Sequence, residues 1–403
     1  MNTRWDVIVV GARIAGASTA LLLARAGLRV LCLDRARYGS DTLSTHALMR
    51  GGTLQLQRWG LLDAVTSAGT PAVRHTVFHY GDDTVSVTIR PAAGVDALYA
   101  PRRTVIDKVI VDAAVEAGAV VRFGSTVTGL LYEDRGQVAG VVIRDRDGSA
   151  RTERAGLVIG ADGRSSQVAD TVGAPVEAAG RSSSAFLYGY WAGLAVDGYE
   201  WFYHPGVSAG LIPTNEGLTC VFVGAAADSA AGFVRAGGVG QAFARLARDS
   251  AIDVRLRDGG RIGNLRYLRG VPGRLRRSWG PGWALVGDAG YWKDPLSTHG
   301  MTAALRDAEL LARAVLTAPE PGPGQLAALA GYQSLRDRFA TPMVETSDRI
   351  AAHDWELPQL RRLLMALSST MADEVDLMGT LPAAPWSPGT PAGDGYREIA
   401  VTV

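Results

Sequence analysis

A glycine turn near the start of the chain constrains the fold more than any other feature. The apolar strand DVIVV leads into Gly11, and GARIAG ends at Gly16, where an apolar helical pattern continues. Asp34 follows eighteen residues later, at the end of a second strand, LRVLCLD. A strand, a glycine turn, a helix and a second strand that ends in an acid are typical of a βαβ dinucleotide-binding unit.

Each part of this unit has a physical role. The N–H groups and positive dipole end of the helix face a pyrophosphate, and the Asp34 carboxylate can accept hydrogen bonds from a ribose. Arg13 replaces the second glycine of the fingerprint, which lets the backbone approach the pyrophosphate. Two explanations stay open: the side chain points outward, or the guanidinium itself helps to bind phosphate.

The balance of charge favours a small-molecule partner. The 403 residues contain 41 basic and 40 acidic side chains, a formal charge of +1, so there is no one-sided field to attract nucleic acid or anionic lipid. The chain has no apolar run of about 18 residues and no signal peptide, which predicts a cytoplasmic protein without a membrane span. Its six histidines and two cysteines have no zinc-type spacing, so no metal is expected.

Two later segments narrow the class of dinucleotide. The strand LVIGADG contains Asp162, and WALVGDAG contains Gly287 and Asp288 and is followed by Pro295 and a helix. With the first turn, these motifs resemble the single-component FAD-dependent monooxygenase superfamily, whose para-hydroxybenzoate hydroxylase-like fold is shared with geranylgeranyl reductases and flavin-dependent halogenases. The resemblance covers about residues 5 to 317. It implies an α/β fold: a Rossmann-type FAD-binding domain with an inserted substrate-binding antiparallel sheet and a helical C-terminal region.

Short alternating strands, several of them aromatic, indicate where the substrate sheet is inserted, with one helical stretch near 240–249. The predicted segments are 1–74, 99–180 and 271–317 for the discontinuous FAD-binding domain, 75–98 for substrate-domain strands, 181–270 for the substrate-binding sheet, 318–380 for C-terminal helices and 381–403 for a tail.

The resemblance implies FAD contacts along all three motifs, with the pyrophosphate at the first turn and the isoalloxazine near the last one. The predicted cofactor-binding residues are Gly11, Ile14, Ala15, Gly16, Asp34, Arg35, Arg103, Asp162, Gly287, Asp288, Pro295, Gly300, Met301 and Thr302. Arg102 is the alternative to Arg103.

The resemblance also implies a reaction. NADH or NADPH would reduce FAD transiently, and a flavin C4a-hydroperoxide formed with molecular oxygen would hydroxylate or epoxidise an aromatic or polyketide-like small molecule. The helix near Met301 would direct its positive end at the flavin's pyrimidine edge. A monomer or a homodimer is expected.

Three side chains are candidate catalytic groups. Lys293, one of only two lysines, lies between the Gly-Asp-Ala turn and a proline, where it would orient a phenolate or hydrogen-bond a flavin adduct; the alternative is a surface lysine that caps the loop. His299 and His46 lie in loops expected near the isoalloxazine, and each is either an acid or base or a hydrogen-bonded loop histidine.

Aromatic residues suggest a substrate surface. Tyr188, Tyr190, Trp201 and Tyr203 fall on two predicted strands, where alternation turns about half of the side chains to one face. That face is either a roof over the substrate or a hydrophobic surface packed on the core.

Other functions remain as alternatives. An FAD-dependent reductase of carbon-carbon double bonds, like the geranylgeranyl reductases, is the nearest. A flavin-dependent halogenase is less favoured, because the Trp-x-Trp-x-Ile-Pro segment and the N-terminal-half lysine of halogenases are missing; Lys108 lies in a helical run instead. A non-catalytic flavin-binding protein is the third alternative.

Overall fold

The chain is represented by a computed structural model that describes residues 4–133 and 136–382. Most of the tail predicted for 381–403 lies outside the described residues. The strands are β1 (Trp5–Val10), β2 (Val30–Asp34), β3 (His75–Tyr80), β4 (Asp83–Thr88), β5 (Val120–Phe123), β6 (Thr126–Tyr132), β7 (Val138–Arg144), β8 (Ala150–Gly160), β9 (Val176–Ala179), β10 (Ser184–Ala192), β11 (Tyr199–His204), β12 (Val207–Pro213), β13 (Leu218–Ala226), β14 (Gly260–Leu268), β15 (Arg274–Arg276), β16 (Trp279–Gly280), β17 (Trp283–Leu285) and β18 (Tyr291–Trp292). The helices are α1 (Ile14–Arg25), α2 (Arg50–Arg58), α3 (Leu62–Ser67), α4 (Arg103–Glu116), α5 (Gln167–Thr171), α6 (Ala227–Asp249), α7 (Gly300–Thr317), α8 (Pro323–Ala351) and α9 (Leu357–Thr380).

The first sheet is built on the βαβ unit that the sequence predicts. Strands β17, β8, β1, β2 and β5 lie side by side and parallel, β16 pairs antiparallel with β17, and β6 and β7 extend β8 as an antiparallel meander. Alternate residues of β1 face opposite sides of the sheet. Val7 and Val9 pack with helices α1, α4 and α7, whereas Ile8 and Val10 pack against the meander.

The second sheet has the strand order β14-β10-β13-β12-β11-β3-β4 and is antiparallel except between β11 and β3. One face carries aromatic side chains that pack on α8 and α9, and the other face packs on α6. The short strands β18, β15 and β9 form a third sheet. The fold is therefore the expected α/β architecture with an added antiparallel sheet and a helical C-terminal region.

Helix α6 begins earlier than the sequence pattern indicates. Helical structure is predicted only near 240–249, but α6 starts at Ala227 and is interrupted at Gly238, where φ is 74°. Glycines lower helix propensity by about 1 kcal/mol each, which hides the first half of the helix. Packing of Ala230, Phe233 and Val234 on the second sheet supplies the missing stability.

No helix in the described part of the chain is both long and apolar enough to cross a bilayer.

Close backbone packing at Gly16 yields a first prediction. A Cβ at this position would lie 1.8 Å from the Gly11 carbonyl oxygen, which is backbone and cannot rotate away. Gly16→Ala is expected to lower the free energy of unfolding by about 3 kcal/mol, measured by urea titration. Gly232→Ala in α6, where the nearest atom is 3.9 Å away, is the matched control and should be neutral or slightly stabilising. Equal stability of the two variants would contradict the packing argument.

Candidate active site

A cavity of about 690 Å³ lies at the carboxyl ends of the parallel strands β1, β2 and β8. Open α/β sheets bind ligands at this edge, because the loops and helix N-termini there converge. Its wall is formed by residues from the segments 10–15, 33–36, 42–47, 125–127, 161–168 and 288–304, together with Arg103 and Leu268. Six separated segments of the sequence thus meet around one space.

The first turn shows which fingerprint positions require glycine. Gly11 has φ of 107°, and a Cβ there would lie 2.4 Å from the carbonyl oxygen of Ala161. Gly16 packs equally closely on Gly11. Arg13 has φ of −88° and ψ of −169°, an extended conformation that any residue adopts. Glycine is therefore necessary at positions 11 and 16 but not at 13.

Asp34 is held in place by the turn that it faces. One carboxylate oxygen accepts the N–H of Ala12 at 2.8 Å, and the other accepts the N–H of Ala36 at 2.7 Å. A carboxylate has about four lone-pair sites, so acceptor capacity remains toward the cavity. Arg35 lines the same part of the wall. This end suits the hydroxyl groups of a ribose.

Asp288 is the carboxylate in the cavity wall that is best placed to bind a ligand. It lines the cavity after β17, and its side chain makes no hydrogen bond within the described residues. Burial raises the pKa of Asp288, although Lys293 and Arg103 act in the opposite direction. Polar groups inside proteins are nearly always hydrogen-bonded, so a cavity-facing carboxylate fits a hydroxyl-bearing ligand. The hydroxyls of the FAD ribityl chain match this requirement.

Asp162 lines the cavity and also stabilises the helix that follows it. Its carboxylate accepts the hydroxyl of Ser166 at 2.5 Å and the N–H of Gln167 at 2.7 Å, and so caps helix α5. The residue lines the cavity, but its acceptors serve the local fold. Asp162 and its neighbours form part of the cavity wall, and its assignment as a cofactor-binding residue stays a prediction.

The loop before α7 combines strain, burial and charge. Pro295, Gly300 and Met301 line the cavity, as does Thr298, a non-glycine residue with φ of 50°. Lys293 is 4% exposed, its ammonium lies 4.2 Å from the centre of the Tyr291 ring, and burial lowers its pKa to about 8. Strained backbone and a buried cation are features that concentrate at functional sites.

Three predicted cofactor residues lie behind the cavity wall. Thr302 accepts the N–H of Met49 at 3.1 Å and so contacts the start of α2. Gly287 has φ of 60°, and a Cβ there would lie 2.8 Å from Ala15 Cβ, so it permits close packing on α1. Gly16 has the corresponding role within the turn. These three residues contribute to the site by holding the backbone of the wall in place, and none of them lines the cavity.

His299 does not face the cavity. Its Nε2 lies 2.9 Å from a carboxylate oxygen of Glu374 in α9, and Arg306 donates to the same oxygen at 2.8 Å. Burial lowers the pKa of His299 despite Glu374. Burial alone would raise the pKa of Glu374, but His299 and Arg306 outweigh it and hold the pKa at about 2. Of the two alternatives for His299, the geometry favours the hydrogen-bonded loop histidine, whose contact with Glu374 ties α9 to the start of α7.

His46 does line the cavity and is buried, with φ of 69°. Its Nε2 lies 2.6 Å from the Tyr190 hydroxyl, and its buried Nδ1 has no partner in the described residues. Burial lowers the pKa of His46 well below the usual value, and Arg102 and Arg103 lower it further. The imidazole is therefore neutral at pH 7.

The four predicted substrate residues share one face of the second sheet. The Tyr188 hydroxyl accepts the N–H of Ser44 at 3.0 Å, and that of Tyr190 contacts His46, so both hydroxyls reach the 42–47 wall segment. Trp201 donates to Thr76, and Tyr203 packs on Trp355. The four side chains thus belong to a packed core surface; none of them lines the cavity, and the hydroxyls of Tyr188 and Tyr190 contact residues of the 42–47 wall segment.

Sequence reasoning missed part of the wall. Arg164 lies with its guanidinium carbon 5.4 Å from the centre of the Trp292 ring, and both line the cavity with Leu268. Trp292 adjoins Lys293, and Arg164 follows the Asp-Gly pair. Their positions beside the predicted site residues were therefore a weak indication in the sequence that they line the cavity. Leu268, at the end of β14, had none, because only the sheet topology brings it there.

A glycine turn, a fixed carboxylate at the second strand end and an unpartnered carboxylate near the helix α7 N-terminus define a dinucleotide-binding α/β flavoprotein. Residues 4–347 match the family model described as "FAD binding domain". The chain belongs to this family and is an FAD-dependent oxidoreductase.

Individual relatives include both reductases and hydroxylases. The menaquinone reductase of Mycolicibacterium smegmatis is 26% identical over 337 residues, which cover 77% of this chain and 76% of the relative. The aklavinone 12-hydroxylase RdmE of Streptomyces purpurascens is 30% identical over 187 residues, 42% of this chain and 34% of the relative. Among solved structures, the myxobacterial chondrochloren halogenase CndH superposes with a TM-score of 0.77 at 20% identity, covering 98% of this chain and 95% of its own. This last similarity shows the fold alone.

Asp288 provides a test of the cofactor site. Asp288→Asn removes the cavity-facing charge while it keeps the side-chain size, and Asp288→Ala removes the acceptors entirely. Both variants are expected to purify with little FAD, measured as flavin absorbance per protein, because the hydroxyl-binding group is lost. Asp170→Asn in α5 is the control, since Asp170 pairs with Arg276 away from the cavity and should leave FAD content unchanged. Full FAD occupancy in Asp288→Ala would refute the assignment.

Proposed function

We propose that the protein is an NAD(P)H-consuming, FAD-dependent monooxygenase that hydroxylates or epoxidises an aromatic or polyketide-like small molecule. FAD is held by the turn from Gly11 to Gly16, by Asp34 and by Asp288. When bound, FAD supplies the redox chemistry that accepts a hydride from NADH or NADPH and passes electrons to oxygen. The second sheet and the 42–47 segment form the substrate side in this proposal.

His46 is the residue that carries the proposal. His46 lines the cavity, its Nδ1 makes no hydrogen bond within the described residues, and its Nε2 is linked to Tyr190. Such a group accepts the proton of a phenol or enol as the hydroxyl becomes an oxyanion. Loss of that proton raises the electron density of an aromatic ring, which prepares it for an electrophilic oxygen. Nδ1 then returns the same proton to the oxygenated product, while Nε2 keeps its hydrogen bond to the Tyr190 hydroxyl.

Lys293 and helix α7 stabilise negative charge at the other wall. An ammonium with a pKa of about 8 is mostly protonated at pH 7 and attracts an oxyanion of substrate or cofactor. The first turn of α7 contains no acidic residue, so the positive end of its dipole is uncompensated there. We assign the catalytic roles to His46 and Lys293 accordingly.

A reductase of carbon-carbon double bonds is the second candidate. The menaquinone reductase aligns with three quarters of the chain, whereas the hydroxylase relative aligns with less than half. A reductase needs no proton acceptor for a phenol, which is why the free nitrogen of His46 favours oxygenation. A halogenase receives support from the fold alone.

Oxygen uptake separates these functions. The yellow protein is expected to bleach with NADH or NADPH, faster with a panel of phenols and polycyclic enols, and to consume oxygen as the hydroxylated product forms. A saturated product that forms without oxygen would establish the reductase. Absence of bleaching with either nucleotide would support a flavin-binding protein without turnover.

His46→Asn tests the proposed proton acceptor. Asn tolerates the positive φ of this position, so the fold and FAD content should be preserved. At neutral pH the kcat for hydroxylation is expected to fall about 100-fold. The deficit should close as pH rises above the pKa of the substrate hydroxyl, because the substrate then arrives ionised. A loss that is the same at every pH would show that His46 has no proton-transfer role.

A further inference from the structure

Helix α4 carries an unusual arrangement of charge at its cavity end. Both oxygens of Asp107 accept hydrogen bonds from Arg103 one turn earlier, at 2.9 Å from Nε and 3.1 Å from a terminal nitrogen. One of these oxygens also accepts a terminal N–H of Arg13 at 2.8 Å. A single buried carboxylate therefore orients two guanidinium groups.

Arg13 is held from a second side. The same terminal nitrogen donates to the carbonyl of Ser40 at 2.5 Å, and the other terminal nitrogen donates to the Ser40 hydroxyl at 2.9 Å. The side chain that replaces the second glycine is thus fixed in one orientation and does not extend freely into solvent. Its position costs no backbone strain, because Arg13 has an extended φ and ψ.

The charges of this group do not cancel. Two guanidiniums and one carboxylate leave a net charge of +1, and both Arg13 and Arg103 line the cavity. A guanidinium has five N–H donors, so each retains donors that make no hydrogen bond within the described residues. The first turn of α1 contains no acidic residue, so the positive end of that helix adds to the same field.

We propose that Arg13 and Arg103, both oriented by Asp107, form a two-guanidinium site for a diphosphate, and that this site takes the pyrophosphate of FAD. Arg–phosphate contacts are strong because parallel N–H groups match the phosphate oxygens. In this chain a cation therefore replaces the close backbone approach that glycine at position 13 would allow. Asp107 is the positioning residue. The inference rests on FAD binding and is independent of the proposed oxygenation.

Three probes separate an effect on the diphosphate from an effect on the fold. Full-length protein freed of flavin is titrated with FAD, with ADP, which contains the diphosphate without the flavin, and with riboflavin, which contains the flavin without phosphate. Arg13→Ala is expected to raise the Kd of FAD and of ADP by the same factor, about tenfold or more for a lost charge-assisted contact. The Kd of riboflavin should not change.

Further variants test each part of the arrangement. Arg13→Gly restores the glycine of the fingerprint and should weaken ADP as much as Arg13→Ala does, whereas Arg13→Lys should retain part of the affinity through its charge. Asp107→Asn should weaken ADP and FAD while riboflavin is unaffected. Lys108→Ala is the matched control, because Lys108 packs on Gly39 and Tyr38 but does not line the cavity; it should leave all three affinities unchanged.

Defined outcomes would overturn the inference. Equal weakening of riboflavin and ADP in Arg13→Ala would show a general loss of structure, which the thermal midpoint of the ligand-free variant would also reveal. Wild-type ADP affinity in Arg13→Gly would show that glycine suffices and that the guanidinium is not a ligand. Loss of ADP binding in Lys108→Ala would show that ADP affinity depends on the packing of segment 37–40 against α4 and not on the guanidinium groups themselves.

Discussion

Close contact between Gly11 and Ala161 is the constraint on which the rest of the structure depends. At this point β1 and β8 run side by side, and the absence of a side chain at Gly11 lets the turn into α1 lie directly on the chain that leaves β8. The same turn is held by Gly16 and by the carboxylate of Asp34. Backbone atoms packed this closely cannot adjust, so the turn, the strand ends and the α1 N-terminus form one rigid floor for the cavity.

Buried charge joins the C-terminal helices to this floor. Glu374 of α9 binds His299 and Arg306, which belong to the N-terminal half of α7 or directly precede it. Arg306 also binds Asp307 at 2.6 Å. Removal of one partner from a buried ion pair costs about 3–5 kcal/mol, because the other charge is then left buried without compensation. These contacts therefore define a single position for α9. The loop that contains Lys293 is thereby supported from behind by groups that never reach the cavity.

The two walls of the cavity differ in chemistry. On the side of the first sheet, Asp34, Asp288 and the guanidinium pair present charged and hydrogen-bonding groups. On the side of the second sheet, a neutral histidine lines the cavity and is held from behind by the hydroxyl of Tyr190, which belongs to an aromatic surface. The charged side suits a dinucleotide, and in the proposed function the other side takes the substrate.

The sequence by itself determined the βαβ unit, the three motif segments and their association with FAD, because glycine requirements and strand-end acids depend on a few neighbouring residues. Only the tertiary structure decided which side chains face the cavity. His46 and His299 are equivalent as sequence signals, yet the first meets the cavity and the second meets Glu374, which lies 75 residues later in α9. Likewise, Asp162 and Asp288 both follow strands, but only Asp162 finds local N–H donors. These differences arise from long-range packing, which a local pattern does not encode.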